Sequence, residues 1–330
     1  MKTLVTGAGG FLAGEIVKKL AERGEYVKAM YRSSYDKSFD DSEFIEPVKA
    51  DLLDKESLRK AIDGCDKIYH VAAFSSNWAK NPTIFYRVNI GGAINLFDLA
   101  NELGVKKVVV TSTAGTIGPA QSHDADSFAS EDHFRTINFF GDYESSKFIV
   151  DERAQAYVRD GLDISIVCPT RIFGPGKKDS RGNMIAGIVE KYMNGKWHWK
   201  LGNGKDQACY AFIEDVVQGH LLTMEKGRPG EKYLIGSFNT TFIGFLETVG
   251  EITGKKRRLL SIPFPVLSFL SFTLGGLSKI FKFDPLLTPE WMVKLQMNWF
   301  ADTSKAQKEL GFKPHTQREA LEKTINWLKK

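Results

Sequence analysis

The first half of the chain alternates between two hydrophobic periods, and that alternation leaves few folds open. Short apolar runs rich in valine fall at 3–6, 26–30, 47–50, 67–72, 106–112 and 163–168. Segments of helical period lie between them, near 11–23, 54–63, 83–103 and 143–160. Strands separated by helices read as βαβ units, because parallel strands need crossover connections. Val108-Val109-Val110 is apolar on both faces, as expected of a strand covered by helices on both sides. The expected fold class is therefore α/β, a doubly wound parallel sheet.

After Pro169 the rhythm changes. A glycine-rich, charged loop, RIFGPGKKDSRG, precedes a helix near 183–194 and the stretch Trp197-His198-Trp199. A strand at 208–213, a helix at 214–225, a strand at 233–235 and several further helices follow. With 330 residues the chain is long enough for the sheet and a second lobe woven into it. The expected division is 1–170 plus about 205–238 for nucleotide binding, and 171–204 plus 239–330 as a smaller substrate lobe.

The first strand runs directly into Thr6-Gly7-Ala8-Gly9-Gly10-Phe11-Leu12-Ala13-Gly14 and then into a helix. Glycine suits a tight turn that a pyrophosphate must approach closely, and the helix start offers N–H groups and partial positive charge. Gly7, Gly10, Phe11 and Leu12 are the expected cofactor contacts of this turn. A glycine triplet alone is weak; its position between a first strand and a helix strengthens it.

Tyr143-Glu144-Ser145-Ser146-Lys147 is a YxxxK pattern, which puts the phenol and the ammonium on one helix face. A nearby lysine is expected to lower a tyrosine's pKa from about 10 toward the working range. Upstream, 106–112 leads into Thr113-Ala114-Gly115-Thr116 at the carboxyl edge of the sheet, where open α/β folds bind ligands. A hydroxyl there can hydrogen-bond a substrate carbonyl or alcohol.

These motifs, in this order, resemble the extended branch of the short-chain dehydrogenase/reductase superfamily, of the NAD(P)-dependent epimerase/dehydratase type. The glycine turn has the spacing GxxGxxA, with Ala13 for the third glycine, and TSTAGTIG resembles the branch's TSSAGT. Ala50-Asp51-Leu52, His70-Val71-Ala72-Ala73, Val88-Asn89-Ile90-Gly91-Gly92 and Cys168-Pro169-Thr170-Arg171-Ile172-Phe173-Gly174-Pro175-Gly176 match further segments. The resemblance extends to Asp302-Thr303-Ser304-Lys305-Ala306 and Leu310-Gly311-Phe312. Dihydroflavonol-4-reductase-like, hopanoid-associated epimerase-like and 3β-hydroxysteroid dehydrogenase-type proteins are the members most similar in pattern.

The resemblance implies hydride transfer between a nicotinamide and a carbonyl or secondary alcohol of a small molecule, with Thr113, Tyr143 and Lys147 as the catalytic set. Ser112 is the alternative carrier of the hydroxyl. Asp51 and Leu52 would meet the adenine, Ala72 and Ala73 would border the cofactor, Pro169 would lie near the nicotinamide, and Lys147 would bind its ribose. A nucleotide-sugar epimerase or dehydratase with retained NAD is an alternative, and a cofactor-binding regulator without turnover is another. Helices 83–103 and 143–160 resemble the pair that forms a homodimer interface in many members. At the end of the second strand Tyr31 occupies the place of the acid that would repel a 2′-phosphate. Arg32, Ser33 and Ser34 follow, so NADP is expected ahead of NAD, with Asp36 near enough for use of both.

The remaining residues limit other readings. The formal charge is +5, from 45 basic and 40 acidic side chains, without an arginine-rich tract or zinc-finger spacing, which argues against nucleic acid. The run Lys255-Lys256-Arg257-Arg258 reads as a solvated loop. Six histidines show no ligand spacing, so no metal is expected. Cys65, Cys168 and Cys209 are far apart, and no secretory signal is seen at the start, so a reducing, cytoplasmic setting is expected. Ser75, Asn77, Trp78 and Trp197 are candidate substrate contacts, with Trp197 and Trp199 alternating on a strand. Residues 259–278 carry no charge. They are read first as a helix of the substrate lobe, then as a peripheral membrane contact through 255–281, then as a span.

Overall fold

The computed structural model describes residues 2–76, 78–124, 126–177, 181–281 and 288–330. Its strands in chain order are β1 (Lys2–Thr6), β2 (Tyr26–Tyr31), β3 (Ile45–Lys49), β4 (Lys67–His70), β5 (Lys107–Thr111), β6 (Ile164–Pro169), β7 (Arg171–Phe173), β8 (Trp199–Leu201), β9 (Gln207–Phe212), β10 (Lys232–Ile235), β11 (Phe238–Thr241) and β12 (Leu260–Ile262). Seven of these form one parallel sheet in the order β10-β6-β5-β4-β1-β2-β3.

The period-2 pattern of the strands sorts the core into two layers. Val5, Tyr69, Val109 and Val167 face helices Phe11–Glu22 and Ile213–Lys226 on one side. Leu4, Ile68, Val108, Val110 and Ile166 face helices Lys55–Ile62, Gly92–Glu102 and Asp142–Arg159 on the other. This is the doubly wound arrangement expected from the sequence. The chain runs outward to β2 and β3 on one side of β1, and to β4, β5 and β6 on the other. The order therefore reverses between β1 and β4, the point where such sheets open a crevice at their carboxyl edge. Thr6 and His70 are paired there.

The segment before β5 is not a uniform helix. Thr83–Phe85 is α-helical, Tyr86–Gly91 is a π-helical turn, and the α-helix resumes at Gly92. Gly92 is required where it stands, since a Cβ there would meet Leu52 Cβ at 2.8 Å.

The second lobe is built on two small sheets. One has the order β11-β9-β7, with β9 and β11 antiparallel, and the other pairs β8 with β12. Its centre is aromatic: Tyr210 stacks on Phe245 at 4.4 Å, and Phe173 meets Phe245 edge-on at 5.5 Å. This core is continuous with the layer under Phe11 and Ile16, so the two lobes share buried residues. One expectation needs correction. β8 begins at Trp199, so Trp197 does not alternate with it on a strand; it packs edge-on against Phe242 instead. Residues 259–278 do hold a helix, Phe264–Phe281, here preceded by β12, and no helix of the described residues is long and apolar enough to cross a membrane.

Candidate active site

The glycine turn forms at the switch point because Thr6 organises it. Thr6 Oγ1 accepts the N–H groups of Val71 at 3.1 Å and Ala72 at 3.0 Å, and bonds His70 Nδ1 at 3.1 Å. Gly7 has φ +78°, and a Cβ on it would stand 2.9 Å from Ala72 Cα. A Cβ on Gly9 would fall 2.3 Å from Ser34 O, so the chain after β2 closes directly over the turn. Gly10 starts helix Phe11–Glu22 without a capping side chain, and the first turn carries no acid. Phe11, Leu12 and Ala13 are buried, so their side chains pack inward. This backbone cradle, closed to a Cβ at Gly7 and Gly9 and followed by a helix turn without an acid, fits a dinucleotide pyrophosphate.

Arg32, Ser33 and Ser34 are exposed just beyond β2 on the same rim. Asp36 is engaged locally: it accepts Ser38 N–H at 3.0 Å and pairs with Lys18 at 3.3 Å. Asp51 lies past β3 and accepts Leu53 N–H at 2.9 Å, while Leu52 is buried beneath Gly92. Ala72 and Ala73 are partly buried past β4, with Ala72 against Gly7.

Helix Asp142–Arg159 sets Tyr143, Lys147 and Asp151 four residues apart on one face. Asp151 is fully buried, accepts Ser112 Oγ at 2.9 Å and pairs with Lys232 of β10 at 3.1 Å. The Ser112 hydroxyl is thus committed inward. Thr113 Oγ1 accepts Gly115 N–H at 3.2 Å, capping the short helix Ala114–Ile117, and its O–H proton remains available to a ligand. A further network holds helix Asp142–Arg159. Buried Asn89 accepts Phe74 N–H at 2.7 Å and donates to Ser146 Oγ at 2.9 Å, and Ser146 donates to Tyr143 O at 2.8 Å.

The electrostatics of the pair differ from expectation. Burial pushes the Tyr143 phenol up to about 12, and the carboxylates of Glu144 and Asp151 push the same way. The expected lowering by Lys147 is not found in the chain by itself. Burial brings Lys147 down to about 8, opposed by Asp151 and Cys168. Lys147 in turn adds to the burial that lowers His70 at the end of β4 to about 3.

Thr113 and Pro169 line a cavity of about 100 Å³. Its walls include Ile117, Leu234, Trp299 and Phe300, with Arg171 and Lys294 as cations. Tyr143 and Lys147 do not line it; Glu144 makes the link. Its carboxylate is buried over Gly115, pairs with Arg135 at 3.5 Å and accepts Lys294 Nζ from the second lobe. Sequence reasoning missed Glu144, Asp151, Lys232 and Lys294. The spacing of Asp151 from Lys147 is a local signal, but Lys232 and Lys294 reach the site only through the tertiary fold. Among the candidate substrate residues, Ser75 is exposed and Trp78 partly buried, and neither lines this cavity. Trp197 lies against Phe242 instead, and Asn77 lies outside the described residues.

The sequence pattern of the NAD dependent epimerase/dehydratase family matches residues 3–236. The chain is 31% identical to sterol demethylase protein B of Methylococcus capsulatus, covering 100% of this chain and 98% of the relative. It is 26% identical to the decarboxylating sterol-4-alpha-carboxylate 3-dehydrogenase of Mus musculus, covering 98% and 90%. The crystal structure of UDP-glucose 4-epimerase from Thermotoga maritima superposes with a TM-score of 0.80 at 23% identity, covering 100% and 99% of the two chains, which is a likeness of fold.

Proposed function

The chain belongs to the NAD-dependent epimerase/dehydratase family and is an NAD(P)-dependent enzyme of the extended short-chain dehydrogenase/reductase type; on that premise we propose that it transfers hydride reversibly between a nicotinamide and a carbonyl or secondary alcohol of a hydrophobic small molecule. The observation that carries the reading is the Thr113 hydroxyl on a mostly apolar cavity wall, with the Tyr143 helix packed behind it through Glu144. Two relatives are named for sterols, which agrees with an apolar substrate.

The nicotinamide, when bound, supplies or accepts the hydride. Gly7, Gly10 and the backbone of Phe11 and Leu12 would hold the pyrophosphate, Asp51 and Leu52 the adenine end, Ala72, Ala73 and Pro169 the nicotinamide side, and Lys147 the ribose. In reduction Tyr143 donates its Oη proton to the substrate oxygen. Thr113 donates a hydrogen bond to that oxygen, and Lys147 supports the phenolate left on Tyr143. The high phenol pKa of the chain alone keeps Tyr143 protonated at neutral pH, the form that reduction needs.

The preferred cofactor in this reading is NADP(H), on the strength of Arg32, Ser33 and Ser34. Residues 1–170 and about 205–238 form the cofactor side, and 171–204 with 239–330 the substrate side. The same reading makes the protein a homodimer through segments 83–103 and 143–160. Three free, buried cysteines agree with a reducing, cytoplasmic setting. Arg171 and Lys294 in the cavity wall favour a second reading, a nucleotide-sugar epimerase or dehydratase, since two cations suit a diphosphate. Mass spectrometry of the purified protein separates the two. Release of nucleotide-free protein that consumes NADPH with hydrophobic ketones supports the reductase. Tightly retained NAD, with no consumption of added cofactor, supports the epimerase and contradicts our first reading.

A further inference from the structure

Helix Phe264–Phe281 presents the opposite face from a helix in water. Leu267, Ser271 and Ser278 are buried, while Val266, Leu270 and Leu277 are exposed and Phe269 and Phe272 are 73% and 75% exposed. A helix against a soluble core does the reverse, turning its large apolar residues inward. Strand β12, which leads into this helix, and its partner β8 add two further exposed apolar side chains. Trp199 and Leu260 are partners in register there, 47% and 50% exposed. Isolated exposed apolar residues need no explanation, but a group of them on one helix and the strand pair that leads into it does.

The charge beside this face is equally one-sided. Segments 191–205 and 255–278 together hold eight Lys and Arg and no Asp or Glu, whereas the rest of the chain has 37 basic against 40 acidic residues. The protein's net positive charge therefore resides in these segments. They are tied together: Leu260 N–H donates to His198 O at 2.7 Å and Arg257 Nη2 to Met193 O at 3.0 Å. Lys255, Lys256 and Arg258 remain exposed. A second copy on this face would set like charge against like. An anionic bilayer meets both features, with phosphates for the cations and an acyl boundary for the aromatic and aliphatic side chains.

We propose that this face docks on anionic lipid bilayers, with helix Phe264–Phe281 lying in the plane of the interface, Val266, Phe269, Leu270 and Phe272 at the acyl boundary and Lys255, Lys256 and Arg258 at the headgroups. The docking is independent of the chemistry at Tyr143, so its test uses binding alone. The full-length protein is sedimented with phosphatidylcholine vesicles and with vesicles containing phosphatidylglycerol, at low and high salt. The expected result is at least about tenfold stronger binding to the anionic vesicles, lost at high salt. Phe269→Ser with Phe272→Ser should weaken binding about tenfold while circular dichroism and melting temperature stay at wild-type values. Lys255→Gln, Lys256→Gln and Arg258→Gln together should weaken only the anionic-vesicle binding. No sedimentation with anionic vesicles at low salt, or binding untouched by both variants, overturns the proposal. A dimer that dissociates in the phenylalanine variant, without vesicle binding, assigns the face to a second copy and also overturns it.

Discussion

Lys147 is 2% exposed, and burial brings its ammonium to about 8 from an ordinary 10.5. Between those two pH values the unfolded chain binds more protons than the native one, so stability rises with pH in that window. Below about 8 the full penalty applies, roughly 3 kcal/mol at about 1.4 kcal/mol per pH unit. Lys147→Met removes the charge and keeps the bulk. It should stabilise the cofactor-free protein by up to about 3 kcal/mol at pH 7 and only about 1 kcal/mol at pH 9.5, while abolishing turnover. Urea denaturation at the two pH values checks this, and an unchanged midpoint at pH 7 contradicts it. With Tyr31 in place of an acid, NADPH should exceed NADH in kcat/KM by at least roughly tenfold, about 1.4 kcal/mol. Arg32→Ala should erase the preference; equal use by the wild type, or a preference untouched by the substitution, would show that Arg32 does not read the 2′-phosphate.

Three elements meet at Asn89. The π-helical turn Tyr86–Gly91 carries it, the loop after β4 gives it Phe74 N–H, and helix Asp142–Arg159 gives it Ser146. Asn89→Leu leaves a buried N–H without its acceptor, which should cost about 1–3 kcal/mol in urea denaturation. It should also lower kcat, because Ser146 no longer anchors the turn that carries Tyr143. Wild-type stability in this variant would show the network to be dispensable. The first six strands and the helices between them were legible in the sequence because hydrophobic period is a local property. The π-helical turn was not, since its length matches an ordinary helix. Thr113 and the Tyr143–Lys147 pair followed from motifs, but the pairing of Lys294 with Glu144 joins residues 150 positions apart and leaves no trace in spacing. The expected low pKa of Tyr143 failed because four-residue spacing announces a neighbouring cation and says nothing about desolvation.

Across the molecule, the shared core makes the lobes continuous, and Lys294 reaches from the second lobe to Glu144 on helix Asp142–Arg159. Residues outside the cofactor fold therefore help set the position of Tyr143. The proposed homodimer would bury segments 83–103 and 143–160 against their copies. Light scattering at micromolar concentration should report twice the chain mass, and a lone species of 37.0 kDa contradicts it. In the proposed reaction Tyr143 transfers the proton that accompanies hydride transfer. The most direct test is the turnover of Tyr143→Phe beside a titration of its cofactor affinity, because the substitution removes one hydroxyl and leaves the ring. Loss of kcat by at least about 100-fold with cofactor Kd unchanged is the predicted result; a variant that keeps wild-type kcat contradicts the account.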